Sequence, residues 1–111
     1  MRKLSWLLVF LLAVTIINYP NPFNPLGGET TSIECTTDTP FDAFLYIYDM
    51  GGRQILRKAF NLQAGSTPNS TSWDGYSNYN KLVGNGIYLY LIVSNSMERI
   101  GKGKIWVVNQ N

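Results

Sequence analysis

Histidine is absent from the 111 residues. With it go Ser-His-Asp and Cys-His catalysis, imidazole acid–base chemistry and histidine-ligated zinc. A single cysteine, Cys35, excludes an internal disulfide and any multi-cysteine metal site. Charge is also sparse: 14% of residues are charged, nine Lys or Arg against seven Asp or Glu. Two of the cations, Arg2 and Lys3, lie at the N-terminus, and beyond residue 17 the two signs balance. A neutral chain lacks the clustered Lys and Arg that neutralising phosphates requires, so nucleic acid is not expected as a partner. No pair of carboxylates is spaced for glycoside hydrolysis, and no Gly-rich loop joins a strand to a helix. The sequence therefore predicts no catalytic residue, no cofactor and no small-molecule substrate.

What is present is apolar and aromatic. Hydrophobic residues make up 45% of the chain and aromatic ones 14%, a globular composition at a length that suits one domain. Met1-Arg2-Lys3 is a short basic run, and Leu4 to Ala13 follows as an uncharged, largely apolar stretch whose apolar character persists through Ile17. Residues 1–17 read as a secretory signal or short membrane tether. The stretch falls short of the roughly 20 residues a spanning helix needs. Ala13-Val14-Thr15 is the nearest approach to a small-x-small cleavage site, and it is a poor one. No cysteine follows to carry a lipid. The expected location is outside the cytoplasm: periplasm, outer-membrane surface or medium. Membrane contact is expected only through this segment, and only if it is not cleaved.

From Asn18 onward no ten residues keep a helical apolar period without Gly or Pro interrupting it. Short alternating or continuous apolar runs recur instead, bounded by Gly, Pro, Asn and Asp. Thr31 to Thr36 alternates, with Ile33 and Cys35 on one face, which makes Cys35 a small core residue rather than a nucleophile. Ala43 to Asp49 places Leu45 and Ile47 on one face. Met50-Gly51-Gly52-Arg53 turns into Gln54 to Phe60 and completes a hairpin. A weaker strand ends at Trp73. Ile87 to Val93 is apolar on both faces, the mark of a central strand, and Lys104 to Val108 closes the series. Six to seven short antiparallel strands in this length predict an all-β, Ig-like sandwich over residues 29–111. A proline-rich lead-in over 18–28 belongs to the same module.

The most specific string is Tyr19-Pro20-Asn21-Pro22-Phe23-Asn24-Pro25. Three prolines remove backbone donors and hold the segment extended, Asn21 and Asn24 can bond local backbone, and Phe23 is an apolar anchor. Downstream come Ile47-Tyr48-Asp49 with Gly52-Arg53, then Trp73-Asp74-Gly75, then Gly86-Ile87-Tyr88. In this order the motifs resemble the Ig-like module shared by the flagellar hook-capping protein and the type A C-terminal sorting domain of the type IX secretion system. The resemblance covers residues 18–108. It implies a β-sandwich that acts as an export and surface-attachment signal, with secretion or assembly machinery proteins as partners. It also makes Gly103 to Val108 similar to the family's basic-then-apolar terminal strand. Lys102, Lys104 and the edge Ile105, Trp106, Val107 and Val108 are then the expected sorting-recognition residues. Two features depart from the pattern: a longer stretch between Gly65 and Trp73, and an export-like segment that runs straight into the proline string instead of a large cargo. A structural assembly role of the hook-cap kind is the alternative, with carbohydrate binding third.

Two further candidates come from the residues themselves. Asp74, Asn78 and Asn80 offer oxygens at spacings that calcium loops also use. No acidic residue follows to supply a bidentate ligand, so a turn in which Asp74 and Asn78 cap backbone groups is favoured and no metal is expected. Phe44, Tyr46 and Tyr48 alternate with the Leu45 set, and Tyr88 and Tyr90 alternate with Leu89. If the two strands share a sheet, these five aromatics are expected to form one surface stripe.

Overall fold

The alternation of apolar and polar residues builds most of the strands. In the computed structural model, residues 13–111 are described, and they contain seven strands. These are β1 (Val14–Tyr19), β2 (Thr31–Thr37), β3 (Ala43–Tyr48), β4 (Gln54–Ala59), β5 (Asn69–Trp73), β6 (Gly86–Ser94) and β7 (Arg99–Val107). β2 buries Thr31, Ile33, Cys35 and Thr37 and turns Ser32, Glu34 and Thr36 outward. β3 does the same with Ala43, Leu45 and Ile47. β1, β2 and β5 form a three-stranded sheet in the order β1-β2-β5, and the other four form a sheet in the order β4-β3-β6-β7. All named pairs are antiparallel, and the two sheets pack as a sandwich.

The expected all-β sandwich is thus the observed fold, and β6, apolar on both faces, is central in its sheet as predicted. Two elements differ. β7 starts at Arg99 rather than Lys104, because the Ser94–Glu98 turn closes a tight hairpin: Ser94 and Glu98 pair through backbone N–H and carbonyl at 2.8 Å, with Met97 at φ 70°. More consequentially, Val14 to Ile17 belong to β1, which pairs with β2 from Val14–Thr37 through Tyr19–Ser32. The apolar run assigned to residues 1–17 ends inside the sandwich. Its first part, residues 1–12, lies outside the described residues.

The core lies between the sheets, and Ile33, Cys35, Leu45, Ile47, Ile92, Ile105 and Val107 have no exposed surface. Polar groups inside it are paired. Thr31, for instance, donates its hydroxyl to the Pro20 carbonyl at 2.7 Å and accepts from Asn18 Nδ2 at 2.7 Å. Burial pushes the Cys35 thiol above its ordinary range, which lowers the reactive thiolate fraction. A maleimide should therefore label the native protein slowly and the denatured protein fast. Rapid labelling of the native state would put Cys35 on the surface.

Candidate functional site

The proline string is not extended throughout. It bends at Pro20–Pro22, where the Tyr19–Pro20 and Asn21–Pro22 peptide bonds are cis, and turns again over Pro25–Gly28. Its asparagines spend their amides on the far end of the chain. Asn21 Nδ2 donates to the Lys104 carbonyl and Asn21 Oδ1 accepts from the Trp106 N–H, both at 2.8 Å. Phe23 then forms a parallel bridge with Val107, donating to the Trp106 carbonyl and accepting from the Val108 N–H at 3.0 Å each. Asn24 repeats the pattern on Gln110, its Oδ1 accepting from the N–H and its Nδ2 donating to the carbonyl, both at 2.9 Å. Asparagine suits this task because one side-chain amide carries both a donor and an acceptor, as a paired strand residue does.

These contacts correct one expectation. The edge Ile105 to Val108, expected to serve recognition as an exposed edge, does not lie open: the outward backbone groups from the Lys104 carbonyl to the Val108 N–H are occupied by Asn21 and Phe23. The physical reason is that an uncovered edge is costly and prone to mispairing, and the lead-in segment blunts it. The side chains divide: Ile105 and Val107 are buried, while Trp106 is 52% exposed and Lys102 and Lys104 are exposed.

The remaining motif residues support this clamp. Phe23, 1% exposed, packs on Trp73 with ring centroids 5.6 Å apart, and Trp73 packs edge-on against Tyr88 at 5.6 Å. Trp73 Nε1–H donates to the Tyr76 carbonyl at 2.9 Å and Asp74 Oδ1 accepts from the Tyr76 N–H at 3.0 Å. Gly75 sits at φ 83°, and a Cβ there would collide with Pro25, so only glycine fits both the turn and the proline packed on it. Gly86 opens β6, and two residues on the Tyr88 hydroxyl donates to the Gly84 carbonyl at 2.8 Å. Asp49 organises the β3–β4 turn. Its Oδ1 accepts from the N–H groups of Gly51 and Arg53 at 3.0 and 2.9 Å, and Arg53 Nε lies 3.3 Å from Oδ2. Gly52 holds φ 88° in the same turn. The Arg53 backbone donor, with the guanidinium behind it, holds the Asp49 carboxyl below its ordinary range. The ion pair itself is exposed and adds little.

Asp74, Asn78 and Asn80 line one depression, and the first two spend a side-chain oxygen on backbone N–H groups. Asn78 faces the free edge of β4, where its Oδ1 accepts from the Arg57 N–H at 2.7 Å. Asp74 serves its own turn, and Asn80 sits at φ 60° with its N–H on the Ser77 carbonyl at 2.9 Å.

The five-aromatic stripe needs a larger correction. Residues directly opposite in a sheet share a face, and β3 meets β6 with Ile47 opposite Tyr90 and Tyr48 opposite Leu89. Phe44, Tyr46 and Tyr48 point outward as expected, whereas Tyr88 and Tyr90, 7% and 5% exposed, point into the core. Gly103, opposite Tyr90, leaves the space that the ring fills. Leu89 and Leu91 come out instead. The outer face of the four-stranded sheet is then arranged in columns. β4 contributes Arg57, β3 the aromatics, β6 the aliphatic Leu89, Leu91 and Val93, and β7 the cations Arg99, Lys102 and Lys104. Tyr46 and Tyr48 stack with ring planes 9° apart and centroids at 6.1 Å. The Arg57 guanidinium lies 3.9 Å over the Phe44 ring and its Nε donates to the Tyr46 hydroxyl at 3.3 Å. A depression of about 350 Å³ opens among Tyr48, Leu89, Leu91, Lys102 and Lys104.

The sequence matches no family model and no curated protein. Solved structures do match. A domain of dimeric latent PorU from Porphyromonas gingivalis superposes with a TM-score of 0.71 and 27% identity over 89% of this chain. PorZ, an essential bacterial surface component of the type-IX secretion system of the same organism, superposes at 0.60 with 17% identity over 85%. This chain spans 10% of the PorU chain and 11% of the PorZ chain, so each match is to one domain of a much larger protein. The sandwich described here is therefore a fold shared with a domain of a type IX secretion-system component.

Proposed function

We propose that this chain is a non-catalytic, exported recognition module that secretion machinery of the type IX kind reads at its C-terminal strand. The observation that carries the reading is the terminal strand itself. Its backbone is held by Asn21 and Phe23 while Lys102, Lys104 and the half-exposed Trp106 remain presented to solvent. The likeness to PorU over 89% of the chain supports it. With the backbone edge occupied from Lys104 to Val108, recognition there works through side chains, and the lysines are its first determinants. The partners are proteins of the secretion or assembly apparatus, at the outer-membrane surface or beyond.

Fusing residues 13–111 behind a reporter in a type IX-competent cell tests the reading. The fusion starts at Ala13 because β1 is part of the sandwich. The wild-type fusion should deliver the reporter to the surface, and Lys102→Ala with Lys104→Ala should strand it in the periplasm. The melting temperature of the double variant should stay near wild type, since exposed charges contribute little to folding. Delivery unchanged by the double variant, or no delivery by the wild type, removes the sorting reading.

A further inference from the structure

We propose that the outer face of the four-stranded sheet docks a polypeptide segment that alternates acidic and apolar side chains. The proposal deepens the reading above, on which it rests for the role of Lys102 and Lys104, by stating what chemistry those lysines meet. The first observation is charge. β3, β4, β6 and β7 together carry Arg57, Lys58, Arg99, Lys102 and Lys104 and not one Asp or Glu. Lys58 turns toward the other sheet, where its Nζ donates to the Ser72 carbonyl at 2.9 Å. The remaining four line the two margins of the outer face. Asp42, Asp49 and Glu98 lie in the loops at the ends of the strands, and Asp49 is already committed to Arg53.

The second observation is the order of the columns. Between the Arg57 margin and the β7 margin run only the aromatic column of β3 and the aliphatic column of β6. Three strand spacings separate the margins, about 14 Å, which is room for one extended segment with side chains reaching either side. The depression among Tyr48, Leu89, Leu91 and the two lysines lies on the β7 side of that trough. An apolar side chain seated there brings a neighbouring carboxylate to Lys102 or Lys104. On the opposite margin Arg57 is already ordered by its stacking on Phe44 and its bond to Tyr46, so less freedom is lost when a second carboxylate meets it. A second copy of this chain fits poorly, because it would bring cations against cations.

The test titrates the full chain with a short synthetic peptide of alternating glutamate and leucine, following backbone amide shifts by NMR. Saturable shifts should map to Leu89, Leu91, Lys102 and Gly103 and weaken as salt rises. Replacing glutamate by lysine in the peptide should abolish them. Lys102→Glu with Lys104→Glu should weaken binding by about tenfold or more without moving the melting temperature, and Tyr48→Ser should weaken it independently of charge. Absence of saturable shifts, or equal binding of the lysine–leucine peptide, overturns the proposal. So do the same shifts appearing only with phosphatidylglycerol vesicles, which would make the face a lipid surface. Shifts that grow with protein concentration alone, without peptide, would make it a self-association face and also overturn it. Peptide binding without surface delivery of the reporter fusion would sink the sorting role and spare this surface; delivery without peptide binding would do the reverse.

Discussion

Ile47→Asp should leave no cooperative unfolding transition. Ile47 has no exposed surface and lies between Leu56 on β4 and Tyr90 on β6. Lys58, the cation on the same face of β4, is already committed to the Ser72 carbonyl. Ionised, the Asp side chain carries a desolvation penalty of several kcal/mol, and neutral it still leaves polar atoms unpaired. The apolar burial of the isoleucine is lost as well. The sum reaches the whole stability of a domain of this size, about 5–10 kcal/mol. Circular dichroism and calorimetry check it: a sloping, non-cooperative melt is expected. A cooperative transition near the wild-type temperature would mean that Ile47 does not face the core.

Phe23→Ala should be the second large effect, and it differs in kind. The ring is buried against Trp73 and joins the lead-in segment to the core. Truncating a buried phenylalanine costs about 3–5 kcal/mol. The loss should be directional, because the backbone of the same residue bridges β7. Hydrogen exchange should accelerate first at Trp106 and Val108, whose N–H groups are held by Asn21 and by Phe23 itself. Asn21→Ala is the companion variant. It removes three exposed hydrogen bonds, to Asn18, Lys104 and Trp106, and nothing from the core, so it should speed exchange at Trp106 with little change in melting temperature. If Phe23→Ala slackens all strands equally, the lead-in segment does not clamp the terminus specifically.

Such a clamp links the fold to the proposed function. The C-terminal strand is fixed on one side by β6 along its length and, from Lys104 onward, on the other by the proline string, so that Lys104 and Trp106 are presented on a backbone held from both sides. A partner that reads these side chains meets them already in place.

Strand identity was legible in the sequence because period-two alternation is a local property. Ile33 with Cys35, Leu45 with Ile47, the double-sided β6 and the tight turn at Asp49–Arg53 all follow from neighbours a few residues apart. The Trp73-Asp74-Gly75 turn was legible for the same reason, since Asp74 caps a group two residues on. β1 was not, because Val14 to Tyr19 continues an apolar run that reads as an export segment. Only pairing with β2 separates it from that run.

The facing of β6 also lay beyond the sequence. Leucine and tyrosine alternate there, both faces are apolar, and hydrophobicity alone favours putting the leucines inside. The register against β3 and the bare backbone of Gly103 decided that the tyrosines go in. From the sequence, Asn21 and Asn24 were expected to bond local backbone, and the residue type alone made backbone bonding legible. That the backbone belongs to residues 104 to 110 was decided only by the tertiary structure, because a contact across more than eighty residues leaves no periodic trace in the chain.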